Sequence, residues 1–265
     1  MTDDRDGPVL IDDCQGIFTI TLNSPLTRHA LGHAMFDALE RAVNLADASA
    51  RDERTRVMVI RSTGGAFCAG FDLAECVKDR DALGRFVTRL ASLVQAIRAM
   101  PAVVIAQVQG AALAGGCALV AACDMVCACE TATFGYPVHR IGVSPAVSLP
   151  TLMASAGFGA ARFLALSGEI VDAQRARALG LVYLLAPDEP ALASMVGELA
   201  TRLAAKPPQA LRATKQWLNQ VDGTAADGFL GRRALDATRA TTQLCEGEES
   251  RAMLEDFWAK RKDRG

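Results

Sequence analysis

Apolar and polar positions alternate through Ile17–Leu22, a β-rich run closed by Asn23-Ser24-Pro25, which is turn chemistry. The period then changes. From Ala34 onward Phe36, Leu39, Val43 and Ala46 recur at spacings of three and four on a polar background, predicting an amphipathic helix. Residues 57–60 read as a short buried strand, Gly64-Gly65 breaks the chain, and 66–73 is a compact glycine-containing segment. Phe86, Leu90, Leu93, Val94 and Ile97 predict a second helix stopped at Pro101. Val103–Val108 is the next strand, 110–123 a turn followed by a tightly buried helix, and Met125–Cys129 a further strand. Beyond Pro150 the chain is helical, with boundaries near Gly157, Gly168, Gly180 and Pro187 and a last strand over 181–185. From Ala191 it is helical throughout, broken at Pro207-Pro208 and Gly223. Strands alternating with helices, then helices alone, predict an α/β core over 1–200 and a helical C-terminal region over 201–265.

Charge and composition narrow the class. Lys and Arg number 28 against 30 Asp and Glu, and 51% of residues are hydrophobic, so neither a nucleic-acid footprint nor a disordered chain is expected. The opening MTDDRDGPV is acidic and polar, unlike a secretory leader. No consecutive apolar run reaches the roughly 18 residues of a membrane span. Eight cysteines occur without a CxxC pair, and Cys123, Cys127 and Cys129 fit a buried strand better than a zinc site, so no metal is expected. A reducing, cytoplasmic setting follows.

Two glycine-bearing segments, 66–73 and 110–117, each follow a strand. Neither has the GxxxxGK[ST] or GxGxxG spacing of a phosphate cradle, and the lone GxG at Gly157 and Gly159 reads as a turn. If the two segments converge, their backbone N–H groups can donate together to one developing oxyanion. Glycine used for close packing is the alternative.

These pieces, with 22–25, 28–31, 134–137, Ile141-Gly142, 178–182 and 257–262, occur in an order that resembles the crotonase superfamily, the enoyl-CoA hydratase/isomerase family, from about Ile17 to Arg261. The resemblance implies repeated ββα units forming a spiral, a C-terminal helical trimerisation region, a homotrimer or dimer of trimers, and a coenzyme A thioester as substrate with no tightly bound cofactor. It implies an oxyanion hole from the backbone N–H of Phe71 and Gly115. Thr27, Arg28, Ala30, Ala69, Asp72 and Leu73 would line the coenzyme A site, completed by Phe257 and Lys260 from a neighbouring subunit. Asp72 could equally hold its own loop.

The departures from the family pattern bear on the chemistry. Where a hydratase of this family places two glutamates, this chain has Ala118 and Val138, and a carboxylate position used by some isomerases falls near Ala146. A general acid or base contributes about 10²- to 10⁴-fold, so standard hydration is not expected. Tyr136, two residues before Val138, would share its side in a regular strand, and its hydroxyl could bond a substrate carbonyl or carboxylate. His139 could act as base if turned inward. Ser144 with His139 mimics a nucleophile and base without the GxSxG elbow, and Cys68 is expected to pack. Two readings stay open: an acyl-CoA enzyme working mainly by oxyanion stabilisation, or a non-catalytic acyl-CoA-binding or assembly protein on the same scaffold.

Overall fold

In the computed structural model, which describes residues 7–79 and 81–262, the alternating run becomes the second strand of a six-stranded sheet. The acidic residues 1–6, on which part of the leader expectation rests, lie outside the described residues. Strand β1 (Val9–Cys14) was not anticipated. It pairs antiparallel with β2 (Ile17–Leu22) through a tight turn in which Gln15 and Gly16 both take positive φ, and its Ile11–Cys14 end faces solvent.

After α1 (His33–Arg51) the chain repeats a long strand, a short strand and helical structure. The first repeat is β3 (Val57–Ser62), β4 (Ala66–Cys68), α2 (Leu73–Lys78) and α3 (Ala82–Ala99). The second is β5 (Val103–Val108), β6 (Ala111–Leu113) and α4 (Gly115–Ala122). The third is β7 (Met125–Cys129), β8 (Thr133–Gly135), a 3-10 helix at Pro137–Ile141, a 3-10 turn at Ala146–Ser148, and α5 (Leu149–Ser167). Then come β9 (Ile170–Asp172), α6 (Ala173–Ala178), β10 (Leu184–Ala186), α7 (Glu189–Ala204), α8 (Pro208–Val221), α9 (Phe229–Glu246) and α10 (Glu248–Lys262). Each repeat gives its long strand to a sheet of order β1-β2-β3-β5-β7-β10 and its short strand to a second sheet of order β4-β6-β8-β9. This is a ββα spiral. Apart from the β1 hairpin and the antiparallel β9 edge, the pairings are parallel.

The central strands are buried on both faces, which is why they read as continuous apolar runs. Met58, Ile60, Val104, Ala106, Val126 and Ala128 face the main core. Their neighbours Val57, Val59, Val103, Ile105, Cys127 and Cys129 face Leu192, Val196 and Ala200 of α7. All eight cysteines are free thiols and seven are buried. One helical stretch, Ala146–Ser167, is long and apolar enough by length and composition to cross a membrane, which a count of consecutive apolar residues did not reveal. Gly157 breaks it at φ +83, and it packs against α4 and α9.

A buried charge network ties the C-terminal helices to the core. Lys215 Nζ on α8 lies 2.7 Å from Asp124 Oδ2 and donates to the Ala102 carbonyl at 2.8 Å. Arg98 on α3 pairs with Asp222, and Asp124 also accepts from the Val104 N–H at 2.7 Å. Helix α10 then returns over α2 and the Pro137–Ile141 helix.

Candidate functional site

The two glycine-bearing segments meet. Gly70 takes φ +91, and a Cβ there would lie 2.8 Å from Ala114 Cβ and 3.4 Å from the Gly115 nitrogen. A Cβ on Gly116 would come within 2.3 Å of the Cys68 carbonyl oxygen, so the backbones approach as closely as glycine alone permits. The loop at 24–31 is bound to the first segment by backbone bonds. The Leu31 N–H donates to the Gly70 carbonyl at 2.8 Å, Asp72 N–H to Leu31 at 3.2 Å, and Ala69 N–H to Arg28 at 3.0 Å. Arg28 and His29 sit at φ +53 and +54 to make this turn. Such departures cluster at functional sites.

Each segment contributes an unengaged donor to the junction. Among the described residues, the backbone N–H groups of Phe71 and Gly115 donate to no protein acceptor, while those of Ala114 and Asp72 are bonded. Gly115 is the first residue of α4, where N–H groups lack intrahelical partners and the helix dipole adds positive potential. Together they can stabilise a developing negative oxygen.

Both segments open into a cavity of about 480 Å³. Thr27, Arg28, Ala30, Ala69, Phe71, Asp72, Leu73 and Gly115 line one part of it, and Tyr136, Val138 and Phe257 also line it. The Asp72 carboxylate caps α2, accepting from the Ala74 N–H at 2.9 Å and the Glu75 N–H at 3.3 Å. It holds its loop. Arg28 and Arg140 are the cations of the lining and Asp72 its acid, and among the described residues neither arginine side chain has a hydrogen bond or ion pair.

Tyr136 is 1% exposed and its hydroxyl makes no hydrogen bond, although the Cys117 thiol and Ser148 hydroxyl lie near enough to perturb it. Burial pushes the phenol well above its usual 10, so it stays protonated and is a donor. The Cys68 and Cys117 thiols are pushed up to about 12 by burial. Cys68 donates to the His29 carbonyl at 3.2 Å and packs as expected.

One expected site residue lies elsewhere. His139 is exposed and off the cavity. The stretch is a 3-10 helix of about three residues per turn rather than an extended strand, so the rows Val138/Ile141 and Pro137/Arg140 face inward and His139 faces out. Lys260 is exposed, pairs with Asp256 at 2.5 Å and does not line the cavity. Phe257 does, with Trp258, from this chain's own α10. Ala118 is fully buried in α4 outside the lining. Arg140, Ser148, Val87 and Leu90 escaped the sequence reading: the last two belong to an amphipathic stripe whose period cannot separate core from cavity wall.

Comparison with known proteins adds to this geometry. Residues 12–262 match the family described as Enoyl-CoA hydratase/isomerase. The chain is 34% identical over 237 residues to 2,3-dehydroadipyl-CoA hydratase of Escherichia coli K12, covering 89% of this chain and 91% of that protein. It is 30% identical over 239 residues to the mitochondrial methylglutaconyl-CoA hydratase of Mus musculus, covering 88% and 74%. An enoyl-CoA hydratase from Mycobacterium avium superimposes with a TM-score of 0.81 at 32% identity, over 96% of this chain and 97% of that one. An enoyl-CoA hydratase/isomerase from Xanthobacter autotrophicus Py2 does so at 0.83 and 28%, over 94% and 92%.

Proposed function

The chain belongs to the enoyl-CoA hydratase/isomerase family, the crotonase superfamily, and from that premise we propose that it is an acyl-CoA enzyme acting chiefly by oxyanion stabilisation. The observation that carries this reading is the pair of unengaged N–H groups, on Phe71 and Gly115, opening into a largely apolar cavity. The substrate thioester carbonyl accepts from both, and they strengthen as charge moves onto that oxygen in an enolate or tetrahedral species. Coenzyme A enters as part of the substrate, with its phosphates toward Arg28 and its pantetheine along Thr27, Ala30, Ala69 and Leu73. Tyr136 donates to the acyl part.

Proton transfer differs from that of a standard hydratase. Val138 and Ala118 take the places of the family's two glutamates, and the one carboxylate of the lining, Asp72, is engaged in its helix cap. The reactions that fit are those in which the enolate is generated or used without a paired-carboxylate relay: decarboxylation, isomerisation with a substituted base, or attack on an activated acyl group. The same lack of a free carboxylate supports the second reading, a non-catalytic acyl-CoA-binding or assembly protein.

The reading extends to a cytoplasmic homotrimer or dimer of trimers. Apolar Trp217, Leu218, Val221 and Phe229 are more than half exposed on α8 and α9, which supports association. Turnover measured over enoyl-, malonyl-type and β-ketoacyl-CoA substrates tests the proposal. One class should exceed a Gly115→Pro control by about 10²-fold, the loss found when one oxyanion donor is removed. Micromolar thioester binding with no turnover above the control on any of them selects the non-catalytic reading.

A further inference from the structure

Resting on the acyl-CoA reading, we propose that the acyl group this protein accepts carries a carboxylate of its own, which takes a hydrogen bond from Tyr136 and is balanced by Arg140. The cavity carries unbalanced charge. Its lining holds two arginines and one acid, and both hydrogen bonds made by the acid go to the Ala74 and Glu75 N–H groups of its own helix. The remaining field is positive, within walls of Phe71, Leu90, Ile141 and Val147 that screen poorly. One arginine, Arg28, sits in the loop assigned to the coenzyme A phosphates. The other lies on a different element and calls for a second anion.

Tyr136 supplies the independent observation. A buried hydroxyl with no partner is rare in a native fold, and Tyr136, which carries this one, is among the residues lining the cavity. It caps the same 3-10 helix that carries Arg140, so a single element positions both donors. Ser144 and Ser148 follow on the same wall. A plain alkyl chain would leave the Tyr136 hydroxyl unsatisfied and Arg140 without a counter-charge. A neutral hydroxyl or ketone would answer the tyrosine and leave the arginine idle. A carboxylate engages both, with a charge-assisted bond from the phenol.

Calorimetry with saturated thioesters, which report binding without requiring a reaction, tests the proposal on the full chain. The probes are glutaryl-CoA against pentanoyl-CoA, adipyl-CoA against hexanoyl-CoA, and free coenzyme A. Wild type should bind the carboxylated member of a pair about tenfold or more tightly, as a hydrogen bond to a charged group implies. Arg140→Gln should remove most of that ratio, Arg140→Lys should restore part of it, and Tyr136→Phe should reduce it several-fold. High salt should narrow it. Equal binding within each pair by wild type overturns the inference and leaves the acyl-CoA reading intact. An equal loss for all three ligand types in Arg140→Gln also overturns it, because Arg140 then serves the phosphates. Binding of no thioester overturns both. Arg140 is exposed, so its variants should keep the wild-type circular dichroism spectrum.

Discussion

Replacing Tyr136 by phenylalanine removes one oxygen from a fully buried ring and leaves its shape otherwise intact. The hydroxyl has no hydrogen-bond partner, and leaving such a group unsatisfied costs about 1–3 kcal/mol. The ligand-free variant should therefore be more stable than wild type, by about 1–2 kcal/mol once imperfect contacts with Cys117 and Ser148 are allowed for. At roughly 2–4 °C per kcal/mol for a chain of this size, Tm rises by about 2–8 °C. A ligand that accepts from the hydroxyl reverses the order. Bound thioester stabilises by RT ln(1 + [L]/Kd), so the protein with the tighter Kd gains more at equal ligand concentration. Thermal unfolding followed by circular dichroism, with and without adipyl-CoA, reads both signs in one experiment. A lower Tm for ligand-free Tyr136→Phe would mean that the oxygen has a stabilising partner inside the fold, and the reasoning would fail.

Four further perturbations test the scaffold. Ala114 holds φ +50 and ψ −115, a conformation costly to any residue with a Cβ, so Ala114→Gly should stabilise by about 1 kcal/mol in urea denaturation after the added chain entropy is subtracted; destabilisation would show that its contact with Gly70 matters more. Gly116→Ala would drive a Cβ to 2.3 Å from the Cys68 carbonyl, and overpacking of backbone against backbone should cost about 3 kcal/mol; an unchanged urea midpoint would refute the close approach. Lys215→Met removes a buried cation and strips the half-buried Asp124 of its nearest partner, and should cost about 3 kcal/mol, with part recovered by adding Asp124→Asn; simple additivity of the two would show that they do not interact. Burial lowers the His29 pKa below 6.5, so as pH falls below that value the unfolded chain takes up a proton that the folded chain does not, and stability falls with it. In Tm measured between about pH 7 and pH 5, His29→Gln should show a smaller acid slope, and an equal slope would place its origin elsewhere.

What could be read from the sequence follows from where water is. Strands β3, β5 and β7 are buried on both faces, so their apolar runs stand out against any background. β1 was missed because Asp12, Asp13 and Cys14 face solvent, and a strand exposed along most of its length looks like a polar terminus. The second sheet is made of three-residue strands, too short for a period of two to repeat. The residues around 136–141 illustrate the same limit with more consequence. Parity along an extended strand places Tyr136 with Val138 and Arg140 and sets His139 apart from them; three residues per turn also keeps Val138 and Arg140 inward and His139 out, and in addition brings Pro137 and Ile141 to the cavity, which parity sets on the other side. Five residues cannot distinguish a period of two from a period of three.

The proposed oxyanion donors show a different division of labour. Glycine in 66–73 and 110–117 indicates that backbones pass closely, but closeness alone does not make a donor available. At this junction the Leu31 N–H bonds to Gly70, Ala114 to Gly135 and Asp72 to Leu31, each a full ladder-type bond. Availability is therefore a property of the remainder: among the described residues the Phe71 and Gly115 N–H groups, one from each segment, have no protein acceptor while these neighbours do. Among the described cavity-lining side chains, the Tyr136 hydroxyl and the Arg28 and Arg140 guanidinium groups are likewise without a protein partner. With Val138 in the lining and the Asp72 carboxylate engaged in its helix cap, the cavity is supplied with donors and short of free carboxylates. Such a cavity favours substrates that bring negative charge with them over substrates that must lose a proton to protein.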